Sequence, residues 1–447
     1  MITSAAFSGK RYAVLGLARS GAATVEALLA SGAEVTAWDD REEARTPFSG
    51  RCELANPLEA DLTGFASVVV SPGVPLNTHP IAPYAAKFDV PVIGDIELFA
   101  QARSELPPHK VVGITGTNGK STTTALVHHI LQTAGVPSLM GGNIGEPIMA
   151  QEPLPEGGVY VLELSSYQID LTFSLDCDVA VLLNITPDHL DRYDGDFEKY
   201  AASKARLFEM QSGDSCAVAR AEDWFFGQKA GLRANGKYLE VSDDIFFQSR
   251  DVPNAVTPDE QSRWPALKGP HNLENVEAAL ATGFVLELTA NQIREGLRTF
   301  PGLPHRMERI AEIADVTFIN DSKATNADST APAIAAYVPD PDPRVRWIVG
   351  GMAKEQGLGK LADLMDHVAA AYTIGRDGEM FAKAIEPSAP AHFCETLSKA
   401  FAQAHRDAQA GDVVLFSPAA ASFDQFKDFE DRGQQFRDLV QALGEAA

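Results

Sequence analysis

The residues best suited to chemistry form the run at 113–122, which reads GITGTNGKST. The run follows the apolar stretch VVGI and precedes a segment whose apolar residues recur at helical spacing. Glycines allow backbone N–H groups to surround an anion, and a helix N-terminus adds a favourable field. The pattern therefore predicts a phosphate-binding loop, with Lys120 at the outer phosphates and a hydroxyl of Ser121 or Thr122 facing Mg²⁺.

The match to the usual phosphate-loop pattern is imperfect. That pattern has four residues between its first glycine and the Gly-Lys pair, and Gly113 stands one residue too early. The alternative is a glycine-rich turn that binds no ligand. The combination of strand, glycines, GKST and helix favours the phosphate loop.

Polar side chains follow two further strand-like runs. Glu163 ends VYVLE, and Asp188, His189 and Asp191 follow VAVLLN. The carboxyl ends of parallel strands are where such folds bind ligands, and Mg²⁺ prefers oxygen ligands. An exposed glutamate and a polar loop are the simpler alternatives, but the positions favour a metal-binding edge.

Lys204 lies on an apolar line. The segment YAASKARLF places Tyr200, Lys204 and Phe208 on one side of a predicted helix. A lysine there must extend to solvent, pair with an acid or change its charge state. From these residues alone, extension to solvent is the simpler interpretation.

The N-terminal stretch contains a second glycine turn, GLARSG at 16–21, followed by a strand-like run and then Asp39 and Asp40. The turn lacks the middle glycine that lets the backbone approach a dinucleotide pyrophosphate, so an NAD oxidoreductase is disfavoured. A smaller or differently placed nucleotide, or a plain strand–helix turn, remains possible.

Strand-like runs alternate with helical patterns along the chain, which predicts an α/β protein with parallel sheets and crossover helices. The proline-containing segments SELPPHK and TFPGLPHR indicate two boundaries. The length of 447 residues suggests three domains at about 150 residues each.

The composition narrows the possible partners. The formal net charge of −24 argues against nucleic acid and anionic membranes, although a local basic site can still bind phosphate because salt screens fields beyond about 8–10 Å. The four cysteines are far apart, which disfavours a disulfide framework and a zinc site. A signal peptide and a membrane-spanning run are both missing, so we expect a cytoplasmic protein.

Collectively, the motifs resemble the Mur ligase family of peptidoglycan synthesis. GTNGKST, GGNIG, LELSSYQ, NITPDHLDRY and GPHNLEN are similar to the central ATPase domain, which folylpolyglutamate synthases share. GDIELF at 94–99, NDSKATN at 320–326 and SPAAASFDQFKDFEDRG at 417–433 resemble the branch that adds D-glutamate to UDP-N-acetylmuramoyl-L-alanine. These segments disfavour a folate ligase or another amino-acid ligase of the same superfamily.

The resemblance implies three domains and an ATP-dependent ligation. A Rossmann-like domain at 1–103 would hold UDP, a P-loop-type domain at 104–302 would hold ATP and Mg²⁺, and a Rossmann-like domain at 303–447 would hold the amino acid. ATP would phosphorylate the alanyl carboxylate, and the amine of D-glutamate would attack the acyl phosphate. We expect these small molecules as partners and a monomeric chain.

The resemblance also implies roles for individual residues of the ATPase domain. The ATP phosphates match Gly116, Thr117, Asn118, Gly119, Lys120, Ser121 and Thr122. The adenine and ribose contacts match Asn272, Asn275, Arg306 and Asp321. The magnesium ligands match Ser121, Glu163, His189 and Lys204, of which Lys204 stands at the position that is carbamylated in this family. Lys120, Glu163, His189 and Lys204 form the catalytic set, and its completeness disfavours an ATP-regulated binding protein that has lost ligation.

Two further groups match the substrates. The UDP-linked substrate matches Arg19, Ser20, Asp39, Asp40, Arg41 and Gly73, with Asn143 and Gln168 at the reacting centre. The amino acid matches Lys323, Thr325, Lys354, Ser422 and Phe429. A dicarboxylate needs cations and donors, which the two lysines, the threonine and the serine offer.

Several of these residues also have plain structural interpretations. Ser422 could cap a helix beginning near Phe426, Lys323 could be a solvated loop residue, and Asn272 could be the N-cap of LENVEAAL. The general base remains open between His189 and a nearby carboxylate. The sequence does not fix the stereochemistry of glutamate, because both enantiomers carry the same groups.

Overall fold

The computed structural model describes residues 1–188, 190–220, 237–241, 256–267, 270–354 and 356–446. The chain divides into two compact units, Met1–Phe300 and Pro301–Ala447. Among the described residues, strands alternate with helices in both units, and the three sheets are parallel apart from one edge strand. The predicted α/β architecture with parallel sheets is confirmed, and the finer domain boundaries at 103 and 302 stay predictions.

The first sheet of unit Met1–Phe300 has five parallel strands in the order β3-β2-β1-β4-β5. The strands are β1 Arg11–Leu15, β2 Glu34–Trp38, β3 Glu53–Leu54, β4 Phe65–Val70 and β5 Val92–Ile93. The helices are α1 Arg19–Ala30, α2 Glu42–Arg45, α3 Ile81–Ala85 and α4 Asp95–Ala102. Leu15 is level with Trp38 and Val70, so the turns after β1, β2 and β4 meet at one edge.

The second sheet of the same unit has six parallel strands in the order β11-β10-β9-β6-β8-β7. The strands are β6 His109–Thr115, β7 Ser138–Gly142, β8 Gly158–Glu163, β9 Val179–Leu182, β10 Cys216–Arg220 and β11 Lys237–Val241. The helices are α5 Lys120–Thr133, α6 Ser166–Asp170, α7 Phe197–Glu209, α8 Pro258–Ser262, α9 Pro270–Val285 and α10 Ala290–Thr299. Ile114 pairs with Glu163 and Thr115 with Leu182, which brings the carboxyl ends of β6, β8 and β9 together.

Helix α4, which carries the GDIELF motif, joins the first two sheets. The backbone N–H of Gly94 donates to the carbonyl of Leu171 over 2.9 Å. Buried Glu97 accepts hydrogen bonds from the backbone N–H groups of Phe173 and Ser174 over 2.7 and 2.9 Å. The ring of Phe99 packs edge-on against Tyr160 of β8 with centroids 5.0 Å apart. Shared hydrogen bonds and shared core explain why residues 1–300 form one unit.

The sheet of unit Pro301–Ala447 has six strands in the order β12-β13-β17-β14-β15-β16, with β12 antiparallel to β13. The strands are β12 Glu308–Ile313, β13 Val316–Asn320, β14 Val345–Gly350, β15 Val368–Ile374, β16 Ala391–Glu395 and β17 Val413–Phe416. The helices are α11 Ala327–Ala335, α12 Gly378–Ile385, α13 Leu397–Asp407 and α14 Phe429–Ala446. Because the last helix begins at Phe429, the expected start near Phe426 is wrong.

Within the segments that the structure describes, no helix combines the length and apolar composition that crossing a membrane requires.

Candidate active site

Residues 116–119 form the loop between β6 and α5, as the sequence predicts. Gly116 and Gly119 have φ angles of 150° and 81°. A Cβ atom on Gly119 would lie 2.2 Å from Oδ1 of Asn275, and one on Gly116 would lie 3.0 Å from Cβ of Leu183. Both positions therefore require glycine for conformational and steric reasons.

The loop is fastened to the segment that follows β9. The N–H of Thr117 donates to the carbonyl of Asn184 over 2.9 Å, and the N–H of Asn118 donates to Oδ1 of Asn184 over 2.8 Å. The hydroxyl of Thr117 lies 3.0 Å from both the Thr186 carbonyl and the Tyr200 hydroxyl. The glycine loop thus has a fixed position relative to the residues after β9.

Lys120 is the first residue of α5, and its ammonium lies against the loop. Nζ donates to the carbonyls of Gly116 and Thr117 over 2.9 and 2.8 Å. These carbonyls are neutral, and a phosphate oxygen is a stronger acceptor for an ammonium group. The side chain is therefore placed to exchange loop carbonyls for an anion.

Asn272 and Asn275 lie on α9 and face the first turn of α5. Oδ1 of Asn275 accepts from the hydroxyl of Thr123 over 3.1 Å, and its Nδ2 donates to Oδ1 of Asn272 over 3.1 Å. Because α9 begins at Pro270, Asn272 is inside the helix, and its interpretation as an N-cap is wrong. Proline at the first helical turn starts the helix earlier than the asparagine suggested.

Glu163 ends β8 beside this loop and is 1% exposed. Its Oε1 accepts from Nδ2 of Asn143 over 2.9 Å, whereas its buried Oε2 has no hydrogen-bond partner. A buried carboxylate oxygen without a partner is costly, and a divalent cation satisfies it. The carboxylate of Glu163 has the chemistry of a ligand for a hard cation such as Mg²⁺, and so does the hydroxyl of buried Ser121.

The structure describes only some of the other residues that the sequence suggests as metal ligands. His189 lies outside the described residues. Asp188 and Asp191 are exposed. Among the residues with described positions, no three His, Cys, Asp or Glu side chains gather closely enough to hold a metal ion.

Lys204 on α7 is 2% exposed, so its extension to solvent is wrong. Its Nζ donates to the carbonyl of Gly116 over 2.8 Å and lies 4.7 Å from the ring centroid of Tyr200. Lys120 donates to the same carbonyl. Burial, and then repulsion from Lys120, lowers the pKa of Lys204 to about 7 against the opposing attraction of nearby acids. Two ammonium groups at one carbonyl repel each other, so loss of a proton from Lys204 relieves this repulsion.

Gln168 has a local structural role. Its Oε1 accepts from the backbone N–H and the hydroxyl of Ser165 over 3.1 and 3.0 Å, completing a capping box at the start of α6. The capping box fixes the start of α6, whose N-cap Ser165 stands two residues after Glu163. The side-chain oxygen of Gln168 is therefore engaged within the protein, and its place at the reacting centre stays a prediction.

Asp39 fixes the turn after β1. Its Oδ2 accepts from the N–H of Leu17 over 2.8 Å, and its Oδ1 accepts from the N–H and Nε of Arg41 over 3.0 and 3.1 Å. Burial alone would raise the pKa of Asp39, but these hydrogen bonds outweigh it and hold the pKa below its usual value. Asp40 accepts from Nε1 of Trp38 over 3.2 Å. Both aspartates therefore hold local structure at this sheet edge, and their place in a UDP pocket stays a prediction.

The other residues of the predicted UDP pocket lie at the same sheet edge. The hydroxyls of Ser20 and Ser71 are 3.4 Å apart, and Nη2 of Arg19 donates to the carbonyl of Gly145 over 3.0 Å. Gly73 is exposed, and nothing lies within 4 Å of an added Cβ. In contrast, a Cβ on Gly21 would lie 1.8 Å from the carbonyl oxygen of Gly16. The second glycine of GLARSG is thus required by the close approach of α1 to the turn.

The second unit brings most of its predicted residues to the carboxyl ends of β13, β14 and β17. Asp321 accepts from the N–H of Met307 over 3.0 Å and from the hydroxyl of Ser417 over 2.7 Å. Burial raises its pKa to about 6 against the effect of these bonds and of Arg306. Nζ of Lys323 lies 5.6 Å from the ring centroid of Phe429.

The remaining residues of this group differ in exposure. Ser422 is 2% exposed, Thr325 is half-buried and Lys354 is exposed. The backbone of Met352 pairs with that of Ala421, which joins the loops that carry Lys354 and Ser422. The carbonyl of Ser422 accepts from the N–H of Phe426 over 3.0 Å. Its loop is therefore a closed turn that precedes α14.

Sequence reasoning missed Arg432, whose hydrogen bonds link the loops that follow β13 and β17. The side chain is 0% exposed and donates to the hydroxyl and carbonyl of Ser322 over 3.0 and 2.8 Å and to the carbonyl of Ala420 over 3.0 Å. Burial lowers the pKa of its guanidinium to about 10. An arginine within the charged run KDFEDRG carries no local sign of burial, because its acceptors are distant in sequence.

Gly433→Ala is expected to destabilise the second unit. A Cβ on Gly433 would lie 2.2 Å from Nδ1 of His305, which is 8% exposed and accepts from Nδ2 of Asn320 over 2.9 Å. Displacing this buried ring should cost about 1–3 kcal/mol and outweigh the helix preference of alanine, about 1 kcal/mol. Urea unfolding followed by circular dichroism measures the change.

Gly444→Ala in the same helix is the matched control. Its Cβ would meet only Cδ1 of Ile313, at 3.7 Å, so the variant should be as stable as the parent chain or more stable. Equal unfolding midpoints for the two variants would contradict the steric role of Gly433.

Comparison with known proteins identifies the family. Residues 114–283 match the Mur ligase middle domain, and residues 305–420 match the Mur ligase glutamate ligase domain. The UDP-N-acetylmuramoylalanine–D-glutamate ligase of Novosphingobium aromaticivorans is 59% identical over 443 residues, 99% of this chain and 97% of the relative. The protein of the same name from Zymomonas mobilis is 50% identical, over 99% of this chain and 100% of the relative.

Solved structures share the fold at low identity. The UDP-N-acetylmuramate-alanine ligase MurC of Thermotoga maritima has a TM-score of 0.55 and 18% identity, covering 97% of this chain and 99% of that one. FolC of E. coli, solved in complex with ADP, has a TM-score of 0.54 and 19% identity, covering 83% of this chain and 99% of that one. On the matched domains and the near full-length relatives, the chain belongs to the Mur ligase family.

Proposed function

We propose that this chain is an ATP-dependent ligase that joins D-glutamate to UDP-N-acetylmuramoyl-L-alanine, releasing ADP and phosphate, in the synthesis of peptidoglycan precursors. Relatives that carry the corresponding name cover 99% of the chain at 59% identity. One geometric observation carries the proposal. Oε2 of Glu163 has no hydrogen-bond partner and is buried at the sheet edge that also holds the glycine loop.

We assign one ligand to the carboxyl edge of each sheet. UDP lies in a Rossmann-like domain at residues 1–103, ATP and Mg²⁺ in a P-loop-type domain at 104–302, and the amino acid in a Rossmann-like domain at 303–447. The ligand-binding edge of an open parallel sheet supports each assignment. Within the first unit, Asn272 and Asn275 are assigned to the nucleoside of ATP.

The reaction has two steps. An oxygen of the alanyl carboxylate attacks the γ-phosphorus of ATP, the bond to ADP breaks, and an acyl phosphate forms. The amine of D-glutamate then attacks the acyl carbon, loses a proton, and inorganic phosphate leaves with one oxygen of the original carboxylate. Because both reactants of the first step are anions, Lys120 must leave its loop carbonyls for the phosphates and offset their repulsion.

The metal residues are Ser121, Glu163, His189 and a carbamylated Lys204. When bound, Mg²⁺ would neutralise phosphate charge during transfer. Glu163 contributes a carboxylate held by Asn143, and Ser121 contributes a hydroxyl at the start of α5. Carbamylation joins the neutral amine of Lys204 to CO₂ with loss of a proton, which turns a buried cation beside Lys120 into an attracting anion.

The amino-acid site comprises Lys323, Thr325, Lys354, Ser422 and Phe429. The two lysines can pair with the carboxylates of glutamate, and the two hydroxyls can donate to them. The buried position of Ser422 and the ring of Phe429 beside Lys323 support a defined pocket. A screen of amino-acid enantiomers tests which form of glutamate it takes.

Phosphate release tests the proposed function. Release should require UDP-N-acetylmuramoyl-L-alanine and rise when D-glutamate is added, and mass spectrometry should find the glutamyl product. A rate of phosphate release that depends on neither substrate would contradict the ligase function. The remaining interpretations would be an ATPase or an ATP-regulated binding protein.

Glu163→Gln is expected to raise the Mg²⁺ concentration for half-maximal activity by about tenfold or more, because a neutral amide replaces a charged ligand. The measurement is phosphate release against Mg²⁺ concentration. Glu156→Gln, at an exposed position shortly before β8, is the matched control and should leave the Mg²⁺ dependence unchanged. The same Mg²⁺ dependence in both variants would remove Glu163 from the metal site.

A further inference from the structure

Two loops from different sheets contact each other at residues that have no assigned role. The loop after β4 includes the SPG turn of the predicted UDP pocket and continues to Asn77. Nδ2 of Asn77 donates to the carbonyl of Asp191 over 3.0 Å, across 114 residues of sequence. Nη1 of Arg192 donates to the carbonyl of Val74 over 3.4 Å. The loop that follows the UDP turn is therefore bonded to the segment that follows β9, where the metal ligand His189 is predicted.

The contact extends inward through aromatic rings. The guanidinium of Arg192 lies 4.2 Å from the ring centroid of Tyr167, and that ring stacks on Tyr193 with centroids 6.3 Å apart and planes inclined by 15°. The hydroxyl of Tyr193 donates to Oδ2 of Asp170 over 2.9 Å. Since Tyr167 and Asp170 belong to α6, which begins shortly after Glu163, the bridge reaches the helix beside the metal carboxylate.

A second branch reaches the phosphate loop. Tyr193 packs edge-on against Tyr200 of α7 with centroids 5.6 Å apart. The hydroxyl of Tyr200 lies 3.0 Å from the hydroxyl of Thr117, and Lys204 follows one turn later on α7. The phosphate loop at Thr117 and helix α7, which carries Lys204, thus both contact this aromatic group.

Asn77 itself is exposed, so its bond to Asp191 buries almost no apolar surface and adds little to global stability. Its effect is local, because it ties the position of residues 191–193 to that of residues 74–77. A ligand that holds the SPG turn in one arrangement therefore favours one arrangement of the metal segment. Such linkage is reciprocal for binding free energies.

We infer that Asn77 and Arg192 are positioning residues that couple occupancy of the UDP pocket to the arrangement of the metal-binding segment after β9. The inference rests on the proposed function, because it takes the SPG turn as part of the UDP pocket. It adds a reason for UDP to bind far from the reacting carboxylate: the uridine diphosphate end helps to assemble the metal site.

The test measures Mn²⁺ binding with and without UDP-N-acetylglucosamine. This probe has the uridine diphosphate and a sugar but no carboxyl group, so it cannot supply a substrate carboxylate to the metal. Electron paramagnetic resonance reports free Mn²⁺, ADP is kept at one concentration throughout, and blank titrations correct for Mn²⁺ held by the nucleotides. In the parent chain we expect saturating probe to tighten Mn²⁺ binding by about two- to tenfold, the range of a single exposed contact.

Three variants separate coupling from folding. Asn77→Ala is expected to lower the ratio of Mn²⁺ affinities with and without probe towards one, while calorimetry still shows probe binding. Thr78→Ala is the matched control, since its hydroxyl donates only within the same loop, to the carbonyl of Pro75 over 3.2 Å, and it should keep the parent ratio. Arg192→Lys retains the charge but loses the planar stack on Tyr167, and it should also lower the ratio.

Hydrogen exchange gives a second readout without metal. The probe should slow exchange of amides in residues 190–196 in the parent chain and in Thr78→Ala, and less so in Asn77→Ala. An Asn77→Ala chain that keeps the full affinity ratio and the full protection would overturn the inference alone. A parent chain that binds no UDP-sugar would instead contradict the UDP pocket and with it the proposed function.

Discussion

Lys204→Ala is expected to lower the rate of phosphate release by about 100-fold or more, because the proposed metal site would lose its carbamate ligand. Lys204 is 2% exposed and its ammonium shares an acceptor with Lys120, so the unmodified side chain places a second cation where the metal set needs an anion. Initial rates at saturating ATP and both substrates measure the loss.

Rescue distinguishes a missing carbamate from a damaged fold. A short-chain carboxylic acid should fit the space left by the side chain and restore part of the activity of Lys204→Ala. Lys199→Ala on the same helix is the control, because Lys199 is exposed and pairs only with Asp194 at the surface. Full activity of Lys204→Ala without added acid would exclude the proposed role.

The rate at which Lys204 becomes carbamylated should depend on pH, because its side-chain amine titrates. Only neutral lysine reacts with CO₂, and the pKa of Lys204 is lowered to about 7, so the reactive form dominates above pH 7 and the ammonium below it. Chain depleted of CO₂ and then given the same concentration of dissolved CO₂ at both pH values should regain activity faster at pH 8 than at pH 6. Equal recovery at both values would contradict a carbamate at this lysine.

Lys120→Ala is expected to reduce the rate of phosphate release by about 100- to 1,000-fold. This is the usual effect of removing one fixed positive charge that stabilises the negative charge on the phosphate oxygens in the transition state. The change also removes two hydrogen bonds that close the glycine loop, so circular dichroism must show that the variant is folded. Lys110→Ala is the control, because Lys110 lies at the opposite end of β6 from the loop. A Lys120→Ala chain with parent activity would remove this residue from the phosphate site.

Local patterns predicted the central features of the fold. The strand, glycine loop and helix at residues 109–133 could be predicted because each part has its own signal within a few residues. The edge strands β12 and β16 could not be predicted, because ERIAEI and AHFCE keep most of their side chains at least partly exposed and lack an apolar run. Short edge strands owe their structure to a neighbouring strand rather than to their own composition.

The contacts of the candidate active site were even harder to predict from local sequence patterns. Helical spacing placed Lys204 on an apolar line, but it could not show that the line faces the carbonyl of Gly116, which is 88 residues away. Arg432 and Ser322 are 110 residues apart, and Asn77 and Asp191 are 114 apart. Contacts of this kind leave no periodic pattern, so sequence reasoning found the residues of the motifs and missed most of the residues that hold them in place.

The central claim is that the substrate's own carboxylate receives the phosphoryl group. UDP-N-acetylmuramoyl-L-alanine labelled with ¹⁸O in its alanyl carboxylate tests this directly when it reacts with ATP and D-glutamate. We predict that mass spectrometry of the inorganic phosphate will find one ¹⁸O atom transferred from each labelled carboxylate. Unlabelled phosphate, formed alongside the ligated product, would contradict the acyl phosphate and the account built on it.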